Sequence, residues 1–140
     1  MYRDLTKEER EILEMLLEPN FPGSIELRVQ LSSVKAKVID EDGGLALQSV
    51  DGPEAPVRWR VPTEGECKDS DGGNVHILLH VLNGRMCELE LYREDGSQVR
   101  RLPNARDLVL FGPEGEEGVK WKGQVAKVVD AGGPGLNNPK

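Results

Sequence analysis

Residues 74–93 constrain the fold more than any other stretch. Val75, Ile77, Leu79 and Val81 take every odd position, Asn83-Gly84 follows, and Cys87, Leu89 and Leu91 resume the alternation. A period of two sends successive side chains to opposite faces of a strand, so the stretch reads as an antiparallel hairpin with one buried face. Asn-Gly ordinarily specifies a two-residue type I′ turn. That turn would pair Leu82 with Arg85, set Leu79 opposite Glu88 and Ile77 opposite Glu90, and so mix the faces. A three-residue loop, Leu82-Asn83-Gly84, with Gly84 left-handed in a bulge, pairs Val81 with Arg85 instead. Leu79 then faces Cys87, Ile77 faces Leu89, and Val75 faces Leu91. A slip of one residue turns every side chain over, so the apolar pattern is expected to override the dipeptide and select the bulged loop.

Upstream of this hairpin the period is helical. Thr6 and Glu9 have the spacing of a capping box, and Ile12, Leu13, Leu16 and Leu17 form one apolar stripe, which predicts a helix over 6–18 stopped by Pro19. Phe21-Pro22-Gly23-Ser24 is a turn. Ile25, Leu27, Val29 and Leu31 alternate as in a strand, but Glu26, Arg28 and Gln30 are good helix formers and Ser24 is a cap residue, which favours a second helix over 24–31. Strands are then expected at Val34–Val38, Leu45–Val50, Val57–Val61, Glu64–Lys68 and Gln98–Leu102, with a last short element at Asp107–Phe111. The fold class that follows is α+β. One or two N-terminal helices pack on a mainly antiparallel, meander-like sheet of about five to six strands. Residues 1–111 make a single domain, 112–131 a linker able to carry one added strand, and 132–140 a disordered tail.

The chain has 140 residues, one domain's worth. Its 18 basic against 25 acidic residues give a net charge of −7. A field of that sign repels phosphate backbones, and no basic stripe with interleaved aromatics is present, so no nucleic-acid partner is expected. A basic protein partner is. No apolar run approaches the roughly 20 residues that span a bilayer, so no membrane partner is expected. Cys67 and Cys87 lie outside any CxxC spacing, and with no secretory segment read at the N-terminus they imply free thiols in the cytoplasm. Cys87 falls on the core face of the hairpin, and Cys67 is expected to be the more exposed of the two.

On the polar face of the hairpin lie His76, His80, Glu88 and Glu90. Imidazole and carboxylate together are zinc ligands, and a histidine beside a carboxylate is the arrangement of a general base. Positions i and i+4 of a strand lie about 13 Å apart, however, so one ion cannot bridge both histidines. Cross-strand His–Glu pairing accounts for the pattern without a ligand. Asp69-Ser70-Asp71-Gly72-Gly73-Asn74 opens like a calcium loop, but the sixth position is Asn74 rather than glycine and the twelfth is His80 rather than glutamate. No phosphate-binding glycine loop and no nucleophile elbow occurs. Neither a catalytic residue nor a cofactor is assigned. The other candidate is Arg58-Trp59-Arg60, an aromatic between two guanidiniums on a proline-bounded strand, the residue types that anchor interfaces.

The run Leu5-Thr6-x-Glu8-Glu9-Arg10, Leu13, Leu16-Leu17, Phe21-Pro22-Gly23 and Glu26-Leu27-Arg28-x-Gln30 resembles the opening of a family of short bacterial proteins that is a domain of unknown function. Val61-Pro62, Asp69–Gly72, the Val75–Leu91 hairpin and Leu102-Pro103 follow in similar order, so the resemblance covers residues 3–111. Members often carry a Cys-Gly-rich run where this chain has Asp42-Gly43-Gly44-Leu45, a departure that argues against any metal or redox role attached to those cysteines here. The family carries no established activity and no residue roles. In size, charge and architecture alone the chain also resembles the immunity proteins that neutralise bacterial toxins. The expected function is a non-enzymatic protein-interaction module, immunity-like in binding a basic partner. The alternative is a small metal-assisted or acid–base enzyme built on His76, His80, Glu88 and Glu90.

Overall fold

The computed structural model describes residues 1–113 and 120–122. Helix α1 runs Lys7–Leu16 and is started by the capping box: the Glu9 amide donates to Thr6 Oγ1 and the Thr6 amide to Glu9 Oε1. Arg3 grips the same carboxylate through two nitrogens, at 2.8 and 3.0 Å. Ile12, Leu13, Leu16 and Leu17 are fully buried. The carbonyls left over at the end of α1 are taken by other elements: Thr63 Oγ1 donates to Leu16 and Arg28 Nε to Leu17, both at 2.8 Å.

Helix α2 spans Ser24–Leu31, and its cap is Gly23 rather than Ser24, whose hydroxyl accepts from the Phe21 amide instead. The helix buries Leu27, Gln30 and Leu31 while Ile25 and Val29 stay exposed. Its apolar residues therefore do not segregate to one side, which is why the sequence also read as a strand.

Among the described residues the sheet has eight strands, β1 Arg3–Asp4, β2 Lys35–Val38, β3 Leu45–Gln48, β4 Thr63–Lys68, β5 Asn74–Leu82, β6 Arg85–Arg93, β7 Val109–Phe111 and β8 Lys120–Lys122. Their order is β1-β2-β3-β6-β5-β4-β7-β8, and every pairing is antiparallel. Two three-stranded meanders, β1-β2-β3 and β4-β5-β6, join through β3 and β6, and a 3-10 turn at Ala105–Asp107 leads into β7. The fold is α+β as expected, with eight strands rather than five or six: the two-residue β1 is additional, β7 lies within the short element expected at Asp107–Phe111, and β8 lies within the segment expected to be able to carry an added strand. A segment as short as β1 carries no readable period. Residues 132–140, expected to be a tail, and most of the expected 112–131 linker lie outside the described residues.

Two expected strands do not form. Val57–Val61 is a string of bends between Pro56 and Pro62, joined to β5 by the Val81 amide donating to the Arg60 carbonyl at 2.7 Å. Gln98–Leu102 has no strand partner because carboxylates capture its amides. Val99 N–H donates to Asp42 Oδ1 and Arg100 N–H to Asp69 Oδ2, each at 2.7 Å.

The central hairpin corrects the expected loop. Leu82 pairs with Arg85, and Asn83 and Gly84 have φ of 53° and 76°, the left-handed pair that a type I′ turn requires. The extra residue sits further along β6: Val81 pairs with Met86 but His80 with Glu88, which leaves Cys87 as the bulge. Beyond it odd positions again meet odd ones, with Leu79 opposite Leu89 and Ile77 opposite Leu91, while Val75 meets Arg93. The dipeptide rule and the alternation are thus both obeyed, two residues apart. Met86 enters the core in place of Cys87, which is only half-buried, and Cys67 is the buried thiol, the reverse of the expected order.

Candidate functional site

Odd positions of β5, with Gly65 and Cys67 of β4 and Leu89 and Leu91 of β6, face the core beside the two helices. Even positions form the other face of the sheet. The register brings Glu64 and Glu66 of β4, His76, Leu78 and His80 of β5, and Glu88, Glu90 and Tyr92 of β6 onto it, flanked by Val109 and Phe111 of β7. None of these residues is fully buried, and Tyr92 is 41 % exposed. The Tyr92 hydroxyl is held above its ordinary pKa, first by burial and then by Glu64, Glu90, Glu94 and Glu66 around it. The face is an acidic sheet surface that carries a half-exposed aromatic, Tyr92, beside His76.

The two histidines fall into separate clusters, as their spacing along β5 demands. His80 Nε2 lies 2.8 Å from Glu90 Oε1, with Glu88 beside it. Arg60 Nε donates to His80 Nδ1 at 3.0 Å. A guanidinium only donates, so Nδ1 is an acceptor and the ring proton sits on Nε2, pointing at Glu90. His76 stacks on its cross-strand neighbour Tyr92, ring centroids 4.9 Å apart and 17° from parallel. Its Nε2 lies 3.0 Å from Glu94 Oε2, and Glu66 completes the group. Asn74 Nδ2 donates to the other Glu94 oxygen at 2.9 Å and is itself held by Lys68 Nζ at 2.6 Å. Those bonds, from Asn74 and then His76, hold the Glu94 carboxyl below its usual range.

Of the residues expected from the sequence, Arg60 joins the His80 cluster. Arg58 lies 5.5 Å over the Trp59 ring on the exposed loop that follows Pro56. The Arg58-Trp59-Arg60 strip is therefore a loop rather than an edge strand. Glu66 and Glu94 were missed. Glu64-Gly65-Glu66-Cys67-Lys68 does alternate, but only the β4–β5 register puts Glu66 opposite His76.

The calcium-like loop is a charge clamp instead. Arg93, almost fully buried, binds Asp69 at 3.0 Å, Asp71 at 2.7 Å and Asp95 at 2.9 Å. Its guanidinium takes the oxygens that a cation would need. In the acidic turn Asp40-Glu41-Asp42-Gly43-Gly44, the Asp40 carboxylate accepts from the amides of Asp42 and Gly44, as turn formers do.

A cleft of about 530 Å³ adjoins the His76 cluster, lined by Glu66, Cys67 and Lys68 at the end of β4, by Asn74 at the start of β5, by Val109 and Phe111, and by Asp69, Arg101 and Asp107. Among the described residues no helix is long and apolar enough to cross a membrane.

This architecture defines a class: an α+β domain that covers one sheet face with helices and leaves the other polar. The chain belongs to the family described as a domain of unknown function (DUF6984), whose family model matches residues 2–103. No curated protein and no solved structure matches it.

Proposed function

We propose that this chain is a non-enzymatic interaction domain that binds a basic protein partner on its polar sheet face. The observation that carries the reading is the sheet register, which sets Glu64, Glu66, Glu88 and Glu90 on the same face as the half-exposed Tyr92. A half-exposed aromatic within like-signed charge is an anchor type for an interface, and a field of one sign steers an oppositely charged partner onto it. The chain's net charge of −7 acts in the same direction. A bacterial cytoplasmic role, and a basic toxin as partner, fit two free thiols and an acidic surface.

The test compares captures from the native host made with the wild-type chain and with a Glu88→Lys, Glu90→Lys, Tyr92→Ala variant that melts normally. The reading expects a basic protein held by the wild type, released by raised salt and not held by the variant. Identical capture by both chains overturns it.

A further inference from the structure

We infer that Glu66, His76 and Glu94 form a binding site for one divalent transition ion of the zinc class. The three residues come from β4, β5 and the turn that follows β6, and each offers one ligand atom, all within 4.8 Å of one another. Zinc bonds imidazole nitrogen and carboxylate oxygen at about 2.0–2.2 Å, so modest rotations of the two carboxylates close the set around an ion. One neutral nitrogen and two carboxylate oxygens match the charge of a divalent cation. Imidazole and carboxylate are also the donor types found, in other proportions, in three-ligand sites that keep a fourth position open. Glu66 lines the adjoining cleft, which gives that fourth position an approach from solvent.

The supporting residues separate this cluster from its neighbour. Asn74, fixed by Lys68, ties one oxygen of Glu94 and leaves the other facing His76, while stacking on Tyr92 sets the plane of the imidazole. Partners of this kind orient metal ligands. At the second cluster, His80, Glu88 and Glu90, the donor atoms are equally close. There the Arg60 guanidinium donates to Nδ1 and forces the ring proton onto Nε2, the nitrogen that faces the carboxylates. A metal at that nitrogen would have to displace the proton with Nδ1 still accepting, which requires an imidazolate. Among the described residues no arginine or lysine donates to the His76 ring. The electrostatics agree, since two carboxylates held this close repel each other and a cation between them removes that repulsion.

Titration of zinc chloride into the full chain, followed by calorimetry, tests the site without reference to any partner. The wild type is expected to bind one equivalent. A Cys67→Ser, Cys87→Ser double variant keeps it, which separates these ligands from the thiols. His76→Ala abolishes binding, with His76→Gln in its place should the alanine variant not fold. Glu66→Gln and Glu94→Gln each weaken it at least about tenfold, and Asn74→Ala, which removes a positioning residue, weakens it by roughly 10-fold or more. His80→Ala leaves it unchanged. Absence of zinc binding by the wild type overturns the proposal. So does an equivalent that survives His76 substitution, or one lost equally with His80→Ala.

Discussion

The side-chain amide of Gln30 donates to the Gly84 carbonyl at 2.8 Å, joining helix α2 to the tip of the central hairpin. The same nitrogen donates to the Pro53 carbonyl, and Gln30 Oε1 accepts from Ser49 Oγ and from the Met86 amide. Gln30 is fully buried, so each of its polar groups is matched at a site that water does not reach. One side chain thereby holds both the turn and the first residue past it, just before the bulge at Cys87. Met86 is pinned by its backbone to Gln30 and by its side chain to the core.

Replacing Gln30 with leucine should cost stability out of proportion to the change in volume. The Met86 amide and the Ser49 hydroxyl lose their shared acceptor, at about 1–3 kcal/mol for each buried group left unpaired. Urea unfolding of Gln30→Leu should show a midpoint well below the wild type's. A variant within about 0.5 kcal/mol of the wild type, the usual range for surface changes, would mean that Gln30 is dispensable.

Two glycines separate backbone strain from crowding. Gly72 has φ +90° with no atom within 4 Å of an added Cβ, whereas at Gly84, φ +76°, a Cβ would lie 2.8 Å from Glu54 Cβ and 3.0 Å from the Ala55 nitrogen. Gly72→Ala should cost roughly 1–2 kcal/mol for the left-handed conformation alone. Gly84→Ala should cost clearly more, because Ala55 also donates its amide to the Gly84 carbonyl and has no freedom to withdraw. Equal losses in paired thermal melts would refute the close packing at the hairpin tip.

The hairpin illustrates how far the sequence reaches. Its strands, its buried face and its polar face are all legible from alternation, and so are α1 and its cap. Its register was not, because two local rules conflict and the contact that reconciles them is made by Gln30, more than fifty residues away. Gln98–Leu102 fails as a strand for the same reason. The groups that take its amides, Asp42 and Asp69, are 57 and 31 residues distant. The candidate site divides likewise. His76, His80, Glu88 and Glu90 were found by the period of two, while Glu66 and Glu94 become visible only when strand neighbours are known.

The Arg93 clamp should make the fold acid-sensitive over a defined interval. The Asp71 carboxyl is held down to about 2 from an ordinary 3.8, chiefly by its hydrogen bond from Arg93. For Asp69, burial pulls upward, but amide bonds from Arg100 and Ser70, together with Arg93, outweigh it and the net shift is downward. Both carboxyls are more acidic folded than unfolded, so the unfolded chain takes up protons first as pH falls. Their contribution is fully present above about pH 4 to 5 and is lost as pH drops toward 2. Unfolding midpoints measured from pH 7 to pH 2 should fall steeply in that interval for the wild type. Asp71→Asn should be less stable at pH 7 and show a shallower acid limb, and parallel curves for the two chains would dismiss the clamp.

The two thiols should react in the order set by the bulge rather than by the alternation. Cys67 is buried in β4, and that burial, reinforced by Asp107 and Asp69, pushes its pKa up to about 11. Since the thiolate is the reactive form, only about a thousandth of it is available at pH 8. Cys87 is raised as well, again first by burial, but Arg60 acts against the rise and the bulge leaves the residue half-exposed. Its Sγ donates to the His80 carbonyl at 3.5 Å, a weak contact that a reagent displaces. A colourimetric disulfide reagent at pH 8 should therefore label Cys87 first and Cys67 only slowly, at a rate that rises sharply once urea opens the fold. Mapping the first modified peptide settles the order. Had the hairpin closed through a three-residue loop, Cys87 would face Leu79 inside the core and would be the protected thiol; early labelling at Cys67 would restore that register.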